Sequence, residues 1–145
     1  MDRVTTVMYE RESRAARQRE DEVRGNKTAY EIAADKVARS AGVDLRRQHE
    51  KQIGTAIHWI LGSGSGACYG ALRHVVPMRL GSGLAYGVLF WFVMVEAALT
   101  LLGVTAPPQA FPWQTHARGL VGHIVLGTTI EALFGAADLV RANGQ

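Results

Sequence analysis

The chain alternates between two kinds of text. Residues 52–72 contain no Asp, Glu, Lys or Arg. A second charge-free run extends from Leu80 to Val95 and continues past Glu96 through "AALTLLGVTA". A third, from Gly119 to Ala137, is interrupted only by Glu131. A helix that crosses a bilayer needs about 20 largely apolar residues. The pattern therefore predicts three spans, A at about 52–73, B at about 81–104 and C at about 118–140. Span B is the most hydrophobic. Spans A and C are rich in glycine and less apolar, so a soluble bundle with two buried helices is the competing arrangement.

The N-terminal third has a different periodicity. In "NKTAYEIAADKVARSAG", Thr28 and Glu31 form a capping-box pair, each side chain meeting a free backbone N–H of the other. Tyr30, Ala33, Ala34, Val37 and Ala41 make a modest apolar face, and Gly42 is a natural stop. Residues 8–24 have almost no apolar stripe and read as a solvated helix or as disorder. Between spans B and C, "VTAPPQAFPWQTH" carries three prolines and cannot be regular helix. Its Phe111 and Trp113 read as interfacial anchors.

Charge sharpens this division. Residues 1–51 hold 12 of the 16 Lys and Arg and 10 of the 13 Asp and Glu. So few charges over the remaining 94 residues imply lipid rather than water as the solvent. The expected organisation is a charged, mostly helical extramembrane tail (1–51) and a transmembrane domain (52–145) with a proline-rich loop at 105–117. Charges in the tail interleave to a net of only +2, which argues against nucleic acid as a partner. The single cysteine, Cys68, excludes an internal disulfide and a multi-cysteine zinc site, and its small neighbours suggest a buried, inert thiol. The first residues lack the apolar core of a signal peptide.

Shifting the chain by 65 residues lays IGTAIHWILGSGSGACYGALRHV over RGLVGHIVLGTTIEALFGAADLV. Gly54 falls on Gly119, His58 on His123, Gly62 on Gly127 and Gly70 on Gly135, while Tyr69 faces Phe134. We read this as an internal repeat with spans A and C crossing in the same direction. Span A then wants a helical partner ahead of the tail, so either a second subunit supplies it or a further helix lies upstream of Met1. Gly62, Gly66 and Gly70 in span A, and Gly83 and Gly87 in span B, recur every fourth residue, the spacing that lets helix backbones approach closely in lipid. Gly54, Gly119, Gly127 and Gly135 extend the set of expected packing positions.

If the tail and the proline loop share one side of the membrane, His58, Glu96 and His123 each lie roughly 8–11 Å deep, on three different helices. Glu131 sits deeper, and His116 with Arg118 tops span C on the loop side. Ionisable groups at such depth should face inward and one another. Three roles remain open for this layer: interhelical hydrogen bonding that fixes helix register, a proton-responsive or proton-conducting site, and a ligand site for a metal or haem. No Cys-x-x-Cys-His is present, neither histidine has a metal-ligand partner at short spacing, and "GSGSG" lacks the lysine of a phosphate loop. We expect no catalytic residue, no resident metal and no cofactor.

The runs "HWILGSGSGACYGAL" and "GLAYGVLFW", with Glu96 and the stretch from Pro112 to Glu131, resemble the YagU-like family of small bacterial inner-membrane proteins, a domain of unknown function. The resemblance implies an all-α, polytopic transmembrane bundle with one more N-terminal helix than the three spans of this chain. Its location would be the bacterial inner membrane and its partners the lipid bilayer and, in an oligomer, further copies. Basic residues near span A favour a cytoplasmic tail if three spans are the whole, whereas an upstream helix would place Arg73, Arg79 and Arg141 inside. The expected role is a non-enzymatic, membrane- or stress-associated component sensitive to pH, with a proton or metal-ion transporter subunit as the alternative.

Overall fold

The computed structural model describes residues 2–144, and it is helical throughout, with no strand among the described residues. Two short helices, α1 (Asp2–Arg11) and α2 (Arg14–Arg24), open the chain. Ser13 starts α2 by accepting from the Ala16 backbone N–H at 3.2 Å, and Gly25, at φ +59°, ends it. Helix α3 (Ala29–Ser40) carries the expected capping box. Glu31 N–H donates to Thr28 Oγ1 at 3.2 Å, and Thr28 N–H donates to the Glu31 carboxylate at 2.6 Å. Residues 8–24, which have almost no apolar stripe, are thus helical apart from a break at Glu12–Ser13.

Helix α4 (Arg47–Leu72) contains span A, α5 (Ser82–Leu101) span B and α6 (Trp113–Asn143) span C. Only α5 and α6 combine the length and apolarity needed to cross a membrane among the described residues. Span A falls short of that measure. Glycines and serines fill its apolar stretch, and its first turns, "RQHEKQ", are polar. Those turns pack against α3, where Gly54 lets α4 meet the Tyr30–Glu31 backbone. Helix α6 begins directly after Pro112, five residues before the expected start of span C, because proline needs no N–H partner at a helix entrance.

The tightest packing joins α5 to α6. A Cβ on Gly83 or Gly87 would collide with the backbone of Gly127 or His123, and one on Gly127 with Gly83. Glu131 of α6 locks the same junction. Its carboxylate accepts from the backbone N–H groups of Gly81 (3.0 Å) and Gly83 (3.1 Å), so a neighbouring helix supplies the N-terminal cap of α5. Helix α4 meets this hairpin near its far end. Tyr69, 1% exposed, lies between the rings of Tyr86 and Phe134, and Tyr86 donates to the Ser65 carbonyl at 2.8 Å. Arg73 pairs with Asp138.

Large apolar side chains mostly point outward. Among the described residues the only hydrophobic ones buried are Ala16, Ala34, Tyr69 and Ile130, whereas Trp59, Leu89, Phe92, Leu133 and Leu139 are 59–70% exposed. A soluble bundle would close over such residues. Cys68 is likewise exposed. The expectation of a buried thiol is therefore corrected: small neighbours in sequence do not bury a residue when no helix packs on that face.

Candidate functional site

Midway along α5 the helix widens to π-helical winding over Trp91–Ala98. Such segments are rare and recur at functional sites. Glu96 lies within it and faces the second turn of α6. There His116 Nδ1 stands 2.7 Å from Glu96 Oε1, and its other nitrogen, Nε2, lies 3.0 Å from the Pro108 carbonyl. A carbonyl oxygen only accepts, so Nε2 must carry a hydrogen. One further proton then belongs between Nδ1 and the carboxyl. Either an imidazolium faces a carboxylate, or a neutral imidazole accepts from a protonated Glu96. In both forms the pair holds one proton more than a neutral histidine and an ionised glutamate.

The pair lines a cavity of about 180 Å³ that also touches Trp91, Arg24, Arg118 and His123. The indole N–H of Trp91 is buried there with no acceptor among the described residues. Residues of the tail form part of the cavity wall, since Thr5, Arg24 and Ala29 contribute to it.

The tail is fastened by charge rather than by apolar burial. Arg118 pairs with Glu12 and, at 2.6 Å, with Glu20, and all three side chains are at most 12% exposed. Thr115 donates to Glu20 at 2.8 Å, and Arg24 reaches Glu20 at 3.1 Å while lying over the Phe111 ring. Arg19 donates to the Ala110 carbonyl at 3.1 Å. Burial by itself would raise the Glu20 carboxyl. Arg24 and the hydrogen bonds from Arg118 and Thr115 outweigh it and hold the group below the usual carboxylate range. The Arg24 guanidinium is lowered by burial, against the opposing pull of Glu20.

The expected convergence of His58, Glu96 and His123 is replaced by a different grouping. Glu96 bonds to His116, the residue expected at the loop, because α6 starts early and the π winding alters the facing of α5. His123 donates from Nδ1 to the Gly119 carbonyl at 2.8 Å and lies beside the Phe90 ring. His58 stands against Tyr30, ring centroids 4.9 Å apart. Both histidines line a second cavity, of about 370 Å³, between α4 and the α5–α6 hairpin. Glu131 belongs to neither cavity and caps α5.

The glycines also divide. Gly54, Gly83, Gly87 and Gly127 lie against backbone, and Gly70 and Gly119 lie under the Phe134 and Trp91 rings. Gly62, Gly66 and Gly135 face open space, so within this chain the α4 stripe packs only at its two ends, Gly54 and Gly70. The reason is that α4 splays from the hairpin above Tyr69. Sequence reasoning missed the Glu96–His116 pair and the anchoring role of Arg118. The signal for both was Pro112, which puts Thr115, His116 and Arg118 on the first two turns of a helix. Among the described residues no group of three or more His, Cys, Asp or Glu side chains is disposed to hold a metal ion. Comparison of the chain with family models, curated proteins and solved structures returns no match.

Proposed function

We propose that this chain is a small, non-enzymatic, multi-pass membrane protein whose Glu96–His116 pair binds and releases one proton as pH changes. The observation that carries the reading is the pair itself, with a ring nitrogen held to a carbonyl on one side and a carboxyl on the other. Loss of its extra proton leaves one ring hydrogen for two acceptors, so His116 separates either from Glu96 or from the Pro108 carbonyl. Arg24, Arg118 and His123 border the same cavity. Separation loosens the Pro108 turn and the wall that the tail builds over it.

Two apolar helices with outward-facing Leu, Phe and Trp side chains support a membrane location. Read with α4 as a third span, the bundle would have one span fewer than the YagU-like resemblance implies, and a bacterial inner-membrane location and a pH-dependent, stress-associated role are part of the same proposal. The reading is tested in vesicles by following His116 through its ring-nitrogen NMR signals from pH 5 to 9. We expect one titration coupled to a change at the Pro108 turn, abolished in Glu96→Gln, whose amide neither ionises nor offers a negative charge to an imidazolium. A turn that changes identically in Glu96→Gln overturns the proposal.

A transporter subunit is the second reading, favoured by the cavity that joins Glu96 and His116 to His123. It requires dissipation of a pH gradient across liposomes, lost in Glu96→Gln. Gradients that hold in the presence of the protein leave the proton-binding reading and remove transport.

A further inference from the structure

The 65-residue repeat has a spatial counterpart at the base of the bundle. Tyr69 packs by Phe134, ring centroids 6.0 Å apart, and Arg73 pairs with Asp138. Both are repeat-equivalent pairs, residue i of α4 meeting residue i + 65 of α6. Two helices that meet in this register run parallel, with equivalent residues at equal height. The next equivalent pair of interest lies three turns up, where the helices have splayed, and it is His58 with His123. Both line the cavity of about 370 Å³ that fills the splay.

From these observations we propose that this cavity is a haem site, with His58 and His123 as the two axial ligands of the iron. His123 is already prepared. Its Nδ1–H donates to the Gly119 carbonyl, which fixes the tautomer and leaves the Nε2 lone pair for a metal, the orientation usual among ligating histidines. His58 is steered by the edges of Tyr30 and Trp59. Gly62 lines the cavity one turn below His58, and a Cβ there would meet nothing within 4 Å, so the floor is open to a flat macrocycle. The remaining walls are aromatic and aliphatic, with Phe90, Met94, Leu99 and Leu126 among them.

Coordination number selects the ligand class. Two imidazoles in an apolar slot leave a bare divalent ion short of donors, and among the described residues no Cys, Asp, Glu or further His joins them. Haem brings four nitrogens of its own and asks the protein for one or two. Its propionates need cations at a wet edge. Tyr30 and His58 are shared with a smaller cavity that reaches Lys51 and Thr55 on the tail side, which puts a cation at that edge. This site adjoins the Glu96–His116 cavity through His123, but neither member of that pair is a ligand here and neither proposal requires the other.

The test is titration of the full chain in nanodiscs with ferric haem, followed by absorption spectroscopy. We expect saturable binding of about one haem per chain, with the spectrum of six-coordinate, low-spin iron. His58→Ala and His123→Ala should each shift the bound haem to five-coordinate, high-spin iron, and the double variant should lose it. Gly62→Leu keeps both histidines and fills the floor, so it should block binding while helical content stays at the wild-type level. His116→Ala should leave the spectrum unchanged. Failure to saturate, a high-spin spectrum in the wild-type protein, or a low-spin spectrum that survives both single histidine variants each overturns the site.

Discussion

Replacing Arg118 with Met tests how the tail is held. The guanidinium is 12% exposed and faces Glu12 and Glu20, whose side chains are 7% and 4% exposed. Removing one partner of a buried ion pair costs about 3–5 kcal/mol, because the other is left charged and dry. Here Glu20 keeps Arg24 and the Thr115 hydroxyl, so the loss falls mainly on Glu12 and belongs at the lower end, about 3 kcal/mol. At about 1.4 kcal/mol per decade, that weakens tail docking roughly a hundredfold. Hydrogen exchange of the α1 and α2 amides reads this directly. Protection there should fall by that factor in R118M while the amides of α6 below His123 stay as in the wild type. The double variant E12Q/R118M removes the stranded charge and leaves Glu20 its Arg24 partner, so it should recover most of the loss. Unchanged exchange in R118M, or a double variant as unprotected as the single, would show that something other than this cluster holds the tail.

Acid should release the tail late. Since the Glu20 carboxyl lies below its unfolded value of about 4.3, its contribution to docking is complete above that value and disappears only as pH falls through the lower folded one. Exchange protection of α2 should persist from pH 7 to about pH 4 and decline below it, and a loss between pH 7 and 5 would contradict the assignment. At the hairpin, Gly87→Ala drives a methyl into the His123 carbonyl and should destabilise by about 1–3 kcal/mol, whereas Gly62→Ala faces open space and should stay within about 0.5 kcal/mol. Unfolding in a denaturing detergent ranks the two, and equal effects would refute the difference in packing. Glu131→Ala strips two backbone N–H groups of their acceptor and should cost about 1–2 kcal/mol, read as faster exchange at Gly81 and Gly83.

Local chemistry determined a good deal from sequence alone. The Thr28–Glu31 capping box, the helix it opens, the proline break between α5 and α6 and the apolar character of those two helices all follow from neighbours a few residues apart. Such features depend on backbone donors, ring constraints and hydropathy, which a short window contains. The docking of α1 and α2 was not legible, because it rests on contacts such as Arg118 to Glu12, 106 residues apart, between stretches with no apolar periodicity to declare a face. Nor was the partner of Glu96. Depth counted at a uniform helical rise placed it beside His58 and His123, and only the π winding and the early start of α6 turn it to His116. The repeat put His58 and His123 at matching positions, yet whether matching helices touch or splay there is a question of packing. Tyr69, Tyr86 and Phe134 close the two helices at one end, and the space left at the other is what tertiary structure alone decided.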